Sequence, residues 1–182
     1  MTGKTLVFHQ AARQRLLDGV NAIAEAVKVT LGPGGRNVIV ERSGDTPLIA
    51  NSGVVVAGSV AVPDSFEEMG VRLLREVATR TSELAGDGTT TATTLAQAIM
   101  VEGNKYVAAG FDPMALRRAI ESAGQRVFAQ LRELARPCSG MDEVRHIATK
   151  RRREHWRHRR ASRRARWPGW RDQHRRRLEA RR

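Results

Sequence analysis

Two glycine-rich breaks decide what this chain can fold into. The first, TLGPGGRN, runs from Thr30 to Asn37, and the second, AGDGTTT, from Ala85 to Thr91. Each follows a segment with helical spacing. Neither can sit inside a helix. Pro33 lacks a backbone donor and its ring clashes with the preceding turn, while adjacent glycines permit tight backbone turns. The chain must turn at both places, and the material between has to be built from separate pieces.

Those pieces read mainly as helices. Ala12, Leu16, Val20, Ile23 and Val27 recur at three or four residues, which predicts a helix over 9–29. NVIVER reads as a short strand. TPLIANSGVVVAGSV reads as further strand broken by a turn at Asn51-Ser52-Gly53, so a small sheet is expected between 37 and 62. Ser65 and Glu68 fit a capping box that opens the next helix. Its apolar face is Phe66, Met69, Leu73 with Leu74, Val77 and Leu84. After the second break, Ala92, Leu95, Ile99 with Met100, and Val107 mark another face. Asp112 as N-cap and Pro113 at the first helical position start a last helix. Its stripe is Leu116, Ile120, Ala123, Val127, Leu131 and Leu134. Each stripe is expected in the core, and no internal repeat is present. The fold class is mainly α with a small β-sheet.

The charge is distributed unevenly enough to change the reading of the whole. The chain has 182 residues and a net charge of +13, from 32 Lys and Arg against 19 Asp and Glu. Sixteen of the basic and three of the acidic residues fall at 150–182, so the first 149 residues carry sixteen of each sign and are neutral. Trp156, Trp167 and Trp170, the only tryptophans, also lie in the basic segment. The neutral part is long enough for one ordinary domain. The single cysteine, Cys138, excludes an internal disulfide and a cysteine metal cluster, and reads as a core thiol. No apolar run is long enough to span a membrane, and MTGKTLVFHQ lacks the pattern of a secretory signal, so a cytoplasmic protein with no membrane partner is expected.

The segment that carries chemistry is GDGTTTATTLAQAI. Gly86 and Gly88 flank Asp87 just before a helix. A helix start offers free N–H groups and partial positive charge to a phosphate. Glycine lets the phosphate approach the backbone, Thr89, Thr90 and Thr91 add three hydroxyls, and Asp87 could hold Mg²⁺ that bridges phosphate oxygens. The P-loop pattern is absent. Taken alone, GDGT reads equally well as a Gly/Asp turn followed by threonine N-caps. The first break is a second glycine-rich turn at a helix end, so two such loops could face one nucleotide.

Together these segments resemble the group I chaperonin family, the GroEL-type folding machines of the 60 kDa chaperonin class. The similarity runs from about Phe8 to Thr149 and includes DGVNAIAEAVKVTLGPGGRNVIV, FEEMGVRLLREVA, AGDGTTTATTLAQAI, VAAGFDPMALRRAI and PCS, in family order. The resemblance implies a partial equatorial ATP-binding domain over 1–135 and the start of an intermediate domain over 136–149. It implies a site for ATP and Mg²⁺, in which Thr30, Leu31, Gly32 and Pro33 line the nucleotide. Gly53 closes the same pocket, Asp87, Gly88, Thr89, Thr90 and Thr91 hold phosphates, and Asp87 takes the metal. As partners it implies sister subunits in stacked heptameric rings, a co-chaperonin lid and unfolded client proteins.

Departures from the family pattern narrow the expected activity. The family reads Lys-Asp-Gly where this chain has Asn51-Ser52-Gly53, and Gly34 replaces a usual lysine. Ser52 cannot take a proton as a carboxylate would. No catalytic residue is therefore retained, and ATP binding with poor hydrolysis is expected. A family member is also several-fold longer, which points to a truncated subunit poorly competent for client folding. The pattern gives way at Thr149, inside a family motif, to an Arg-rich tail at 150–182. That tail reads as a frame-shifted, disordered segment. Two alternatives stay open: a nucleic-acid-binding protein that uses the Arg/Trp-rich tail, largely without specificity, or a non-catalytic adaptor of intact chaperonin rings.

Overall fold

The computed structural model describes residues 5–32, 34–42, 44–138, 140, 141 and 143. The chain divides into two compact units, Met1–Leu134 and Ala135–Arg182. In the second, the described residues are few, and Cys138 among them is exposed. It follows Pro137 beyond the last helix, so the expected core thiol is instead a surface one. The basic segment at 150–182 lies outside the described residues, as does the expectation that it is disordered.

The first unit begins with α1, His9–Lys28, which buries Leu17, Val20, Ile23, Ala24 and Val27 on one face. The strands β1, Val38–Val40, and β2, Leu48–Ala50, pair antiparallel, with Val38 opposite Ala50, Ile39 opposite Ile49 and Val40 opposite Leu48. Strand side chains alternate between faces. Val38, Leu48 and Ala50 accordingly reach the core, while the facing pair Ile39 and Ile49 is exposed.

The next segment corrects the sequence reading. Gly53–Ser59 is a short helix, α2, and not strand. Its run of valines favours a strand by local preference. The helical turn instead places Gly53, Val56 and Ala57 together on a buried face, a spacing that strand alternation would split. Arg75 from the following helix secures the end of α2 by donating to Ala57 O at 3.3 Å and Val60 O at 2.6 Å.

The capping box is also corrected. The helix α3, Ser65–Ala85, is capped by Asp64, whose Oδ1 accepts from Phe66 N at 2.8 Å and Glu67 N at 3.1 Å. A carboxylate one residue earlier satisfies the first N–H groups, and Glu68 instead pairs with Arg72 and Arg75. The buried face of α3 is Gly70, Val71, Leu74 and Ala78, packed on α1. The contact is close: a Cβ added at Gly19 of α1 would fall on Glu67 O, and one added at Gly70 would fall on Leu16 O. Met69, Leu73 and Leu84, which the periodicity placed in the core, are exposed, Leu84 by 88%.

The last two helices, α4, Thr89–Ala108, and α5, Pro113–Leu134, depart furthest from the periodicity. The fully buried residues of α4 are polar, Thr89, Thr90, Thr93 and Gln97; Ala96 and Met100 pack half-buried against the core, and Leu95 and Ile99 are exposed. Gln97 Nε2 reaches α1, donating to Asn21 Oδ1 at 2.6 Å. α5 buries none of its residues fully: Leu116 is half-buried beside Gly103 of α4, and Ile120, Val127, Leu131 and Leu134 are on the surface rather than in a core. Asp112 does cap α5 as expected, accepting from Met114 N and Ala115 N at 3.1 Å each.

Candidate functional site

Three segments distant in sequence meet at the start of α4. The first is the turn after α1. Here Thr30 N donates to Val27 O at 3.0 Å, Leu31 N to Lys28 O at 3.0 Å and Arg36 N to Val29 O at 2.8 Å, so the chain reverses tightly. Gly32 sits at φ +68°, a left-handed conformation that glycine adopts without strain. Thr30 is buried and Leu31 is exposed. Pro33, the remaining predicted residue of this loop, lies outside the described residues.

The second segment is the start of α2. Gly53 lies against α4 so closely that an added Cβ would overlap Thr90 Oγ1 and stand 2.8 Å from Thr89 Oγ1 and 2.9 Å from Thr90 N. No residue with a side chain could occupy this place unless α2 moved. Ser52, just before it, takes the N-cap position of α2 with extended backbone and makes no capping bond through its side chain.

The third segment is the turn from α3 to α4. Gly86 ends α3 at φ +73°, and Gly88 begins α4 at φ +80°. Asp87 between them is exposed, and its Oδ1 accepts from Gly88 N at 2.7 Å. No side chain caps α4. The first helical bond at this end runs from Ala92 N to Gly88 O at 2.9 Å. The N–H groups of Thr89, Thr90 and Thr91 therefore have no acceptor within the helix, at the positive end of its dipole. Thr89 and Thr90 are buried and Thr91 is exposed. Thr30 Oγ1 stands 2.9 Å from Thr90 Oγ1 and ties the first segment to the third.

The structure thus brings together Thr30, Gly53, Thr89 and Thr90, with Gly88, Asp87 and Thr91 adjoining them along the chain. Sequence reasoning missed the polar link that seats α4 on α1. Gln97 contacts Asn21 and, at 3.4 Å, Glu25 Oε1. The signal was available, because Thr90, Thr93 and Gln97 follow helical spacing as a polar stripe.

The sequence model of the TCP-1/cpn60 chaperonin family matches residues 23–159. The chain belongs to this family. The match contains both glycine-rich turns and Gly53. It also passes Thr149, where the sequence reading ended the family pattern, and enters the basic segment. Among curated chaperonins, GroEL 2 of Albidiferax ferrireducens is 55% identical over 148 residues, which cover 81% of this chain and 27% of that protein. GroEL 1 of Polaromonas naphthalenivorans is 56% identical over 148 residues, with the same coverage. Among solved structures, the chaperonin gp146 from the bacteriophage EL 2 (Pseudomonas aeruginosa), crystallised in the presence of ATP-BeFx, superposes with a TM-score of 0.63. It is 29% identical, over 75% of this chain and 24% of that one. This chaperonin chain therefore spans 27% of the length of the curated relatives it matches. Among its described residues, no helix is long and apolar enough to cross a membrane.

Proposed function

We propose that this chaperonin chain binds ATP with Mg²⁺ at the start of α4 and turns it over poorly. The observation that carries the reading is the junction itself. An uncapped helix N-terminus, preceded by a glycine-flanked carboxylate, is met by a tight turn at Thr30 and by the side-chain-free Gly53. This donor set suits a polyphosphate: the amides of Thr89, Thr90 and Thr91 offer unspent donors, and Asp87 offers negative charge to a cation. Among the described residues no three His, Cys, Asp or Glu side chains gather as a metal site. A single carboxylate fits Mg²⁺ that arrives with the nucleotide, since Mg²⁺ commonly binds through one or two carboxylates and substrate phosphates. The phage relative crystallised with ATP-BeFx supports the same ligand.

Poor turnover follows from Ser52. Hydrolysis at a γ-phosphate needs a group that orients or deprotonates the attacking water. A serine hydroxyl at the N-cap of α2 is a poor base at neutral pH. The chain's part in rings, in client folding and with a co-chaperonin is proposed on family membership. The exposed pair Ile39 and Ile49 supports a subunit contact at the hairpin. The sixteen basic residues and three tryptophans at 150–182 favour a second reading, binding of polyanions, with affinity that falls steeply as salt rises.

The test is calorimetric titration of the full chain with ATP and Mg²⁺, beside an assay of phosphate release. Binding with release at background is expected. Absence of binding removes the ATP reading, and steady release removes the claim about Ser52.

A further inference from the structure

The hydroxyls of Thr30 and Thr90 form a buried pair with a fixed direction. Each carries a single proton. Thr30 has already committed its own, because Oγ1 donates to Val27 O at 2.8 Å. The proton in the 2.9 Å contact between the two threonines must then come from Thr90. The order runs from Thr90 Oγ1 to Thr30 Oγ1 to Val27 O. Gly53 closes another side of the Thr90 hydroxyl, where an added Cβ would overlap it. A hydroxyl that is buried, walled by two residues and has spent its proton has none left to give an anion.

We infer that Thr90 is a positioning residue of the nucleotide site: its hydroxyl clamps the Thr30–Gly32 turn onto α4, and only its backbone N–H is offered to phosphate. The inference rests on the ATP reading above. It gives three threonines of the site different roles. Thr90 holds the two loops together. Thr91, exposed one residue on, is the one that presents a hydroxyl to ligand. Thr30 is the acceptor that makes the clamp, although it contributes no donor of its own to the site.

The experiment uses the full chain with Thr30→Val, Thr90→Val, both together, Thr90→Ser and Thr91→Val. ATP affinity with Mg²⁺ is measured by titration, and amide hydrogen exchange is followed without nucleotide. Each single valine variant at 30 or 90 is expected to weaken ATP binding roughly tenfold, the size of one lost hydrogen bond. The double variant should be no weaker than either single, and Thr90→Ser should bind like the unaltered chain. In either valine chain the amides of Thr30, Leu31 and Arg36 should exchange faster, and Thr90→Ser should restore them. Thr91→Val should weaken binding and leave that exchange unchanged. This last variant carries the comparison if a buried valine prevents folding. Loss of affinity in Thr90→Val with none in Thr30→Val, or additive losses in the double, would overturn the clamp. So would unaltered binding in Thr91→Val. If the unaltered chain binds no ATP, the nucleotide reading fails separately, and exchange at 30–36 still decides whether the clamp exists.

Discussion

Gly53 at the start of α2 lies so close to Thr90 in the first turn of α4 that a new Cβ would overlap Thr90 Oγ1 and stand 2.9 Å from Thr90 N. A hydroxyl could rotate away, but a backbone amide fixed in a helix cannot. Gly53→Ala therefore has to push α2 off α4 and disturb the amides proposed to hold phosphate. Overpacking of this kind costs about 1–3 kcal/mol. Urea unfolding should show that loss, and ATP affinity should fall with it. A Gly53→Ala chain with unchanged stability and affinity would mean that the two helices are free to separate at this junction.

Asp64 gives the fold an acid-sensitive contact. The backbone N–H groups of Glu67 and Phe66 hold its carboxyl below the ordinary aspartate range, against opposition from desolvation and with the smallest contribution from Arg15. The folded-state value is thus lower than the unfolded one. The stability it contributes is complete above the unfolded value and is lost as pH falls through the folded one. Asp64→Asn keeps a capping oxygen but cannot titrate. Denaturation midpoints measured across the acid range should fall more gently for Asp64→Asn than for the unaltered chain. Glu25, held low chiefly by Lys28, and Glu68 titrate in the same region and leave some slope in both. Parallel profiles would show that the cap contributes nothing that depends on charge.

Much of this fold was legible, and its failures share a cause. The α1 face, the two glycine breaks and the Asp112 cap all follow from local rules of spacing and turn chemistry. The errors arose where more than one face could be buried. In α3 the residues Met69, Leu73 and Leu84 form as convincing a stripe as Val71, Leu74 and Ala78. Only the close approach at Gly19 and Gly70 selects the second. In α2 the valines favour a strand, and burial of Val56 with Ala57 overrides that preference. The site was legible as a set of residues, because glycines beside Asp87 and a run of threonines announce an anion-binding helix start. Their division of labour was not, because it depends on which hydroxyl of Thr30 and Thr90 has a proton to give.

The polar seat of α4 is open to a direct test. Gln97 is buried and donates to Asn21 Oδ1 at 2.6 Å. Gln97→Leu fits the volume but leaves that acceptor without its donor, at a cost of about 1–3 kcal/mol. The further change Asn21→Leu should recover part of the loss, since it removes the unmet acceptor and leaves only the weaker 3.4 Å contact to Glu25 Oε1 unreplaced. Additive losses in the double variant would show that the two residues act independently.

The apolar stripe of α5 supports the opposite expectation. Phe128 is 66% exposed and α5 buries none of its residues. Phe128→Lys should change folding stability by no more than about 0.5 kcal/mol, as is usual at a surface position. It should also reduce self-association, because exposed apolar patches drive it. Light scattering and a thermal melt report the two quantities separately. A large drop in the melting midpoint would show that this face is covered in the assembled protein.

Asp87 separates charge from shape at the proposed metal position. Its Oδ1 accepts the Gly88 amide at 2.7 Å, which helps to set the turn into α4. Asp87→Asn retains an oxygen for that bond and removes the negative charge. If the carboxylate serves Mg²⁺, affinity for ATP in the presence of the metal should fall by roughly ten- to a hundredfold, the size of one charge-assisted contact. Affinity measured in chelator should not fall, because without metal the carboxylate only repels phosphate. An equal loss in both conditions would assign Asp87 to the turn and leave the cation to the nucleotide alone. An unchanged affinity in both would place the phosphates elsewhere than at the start of α4.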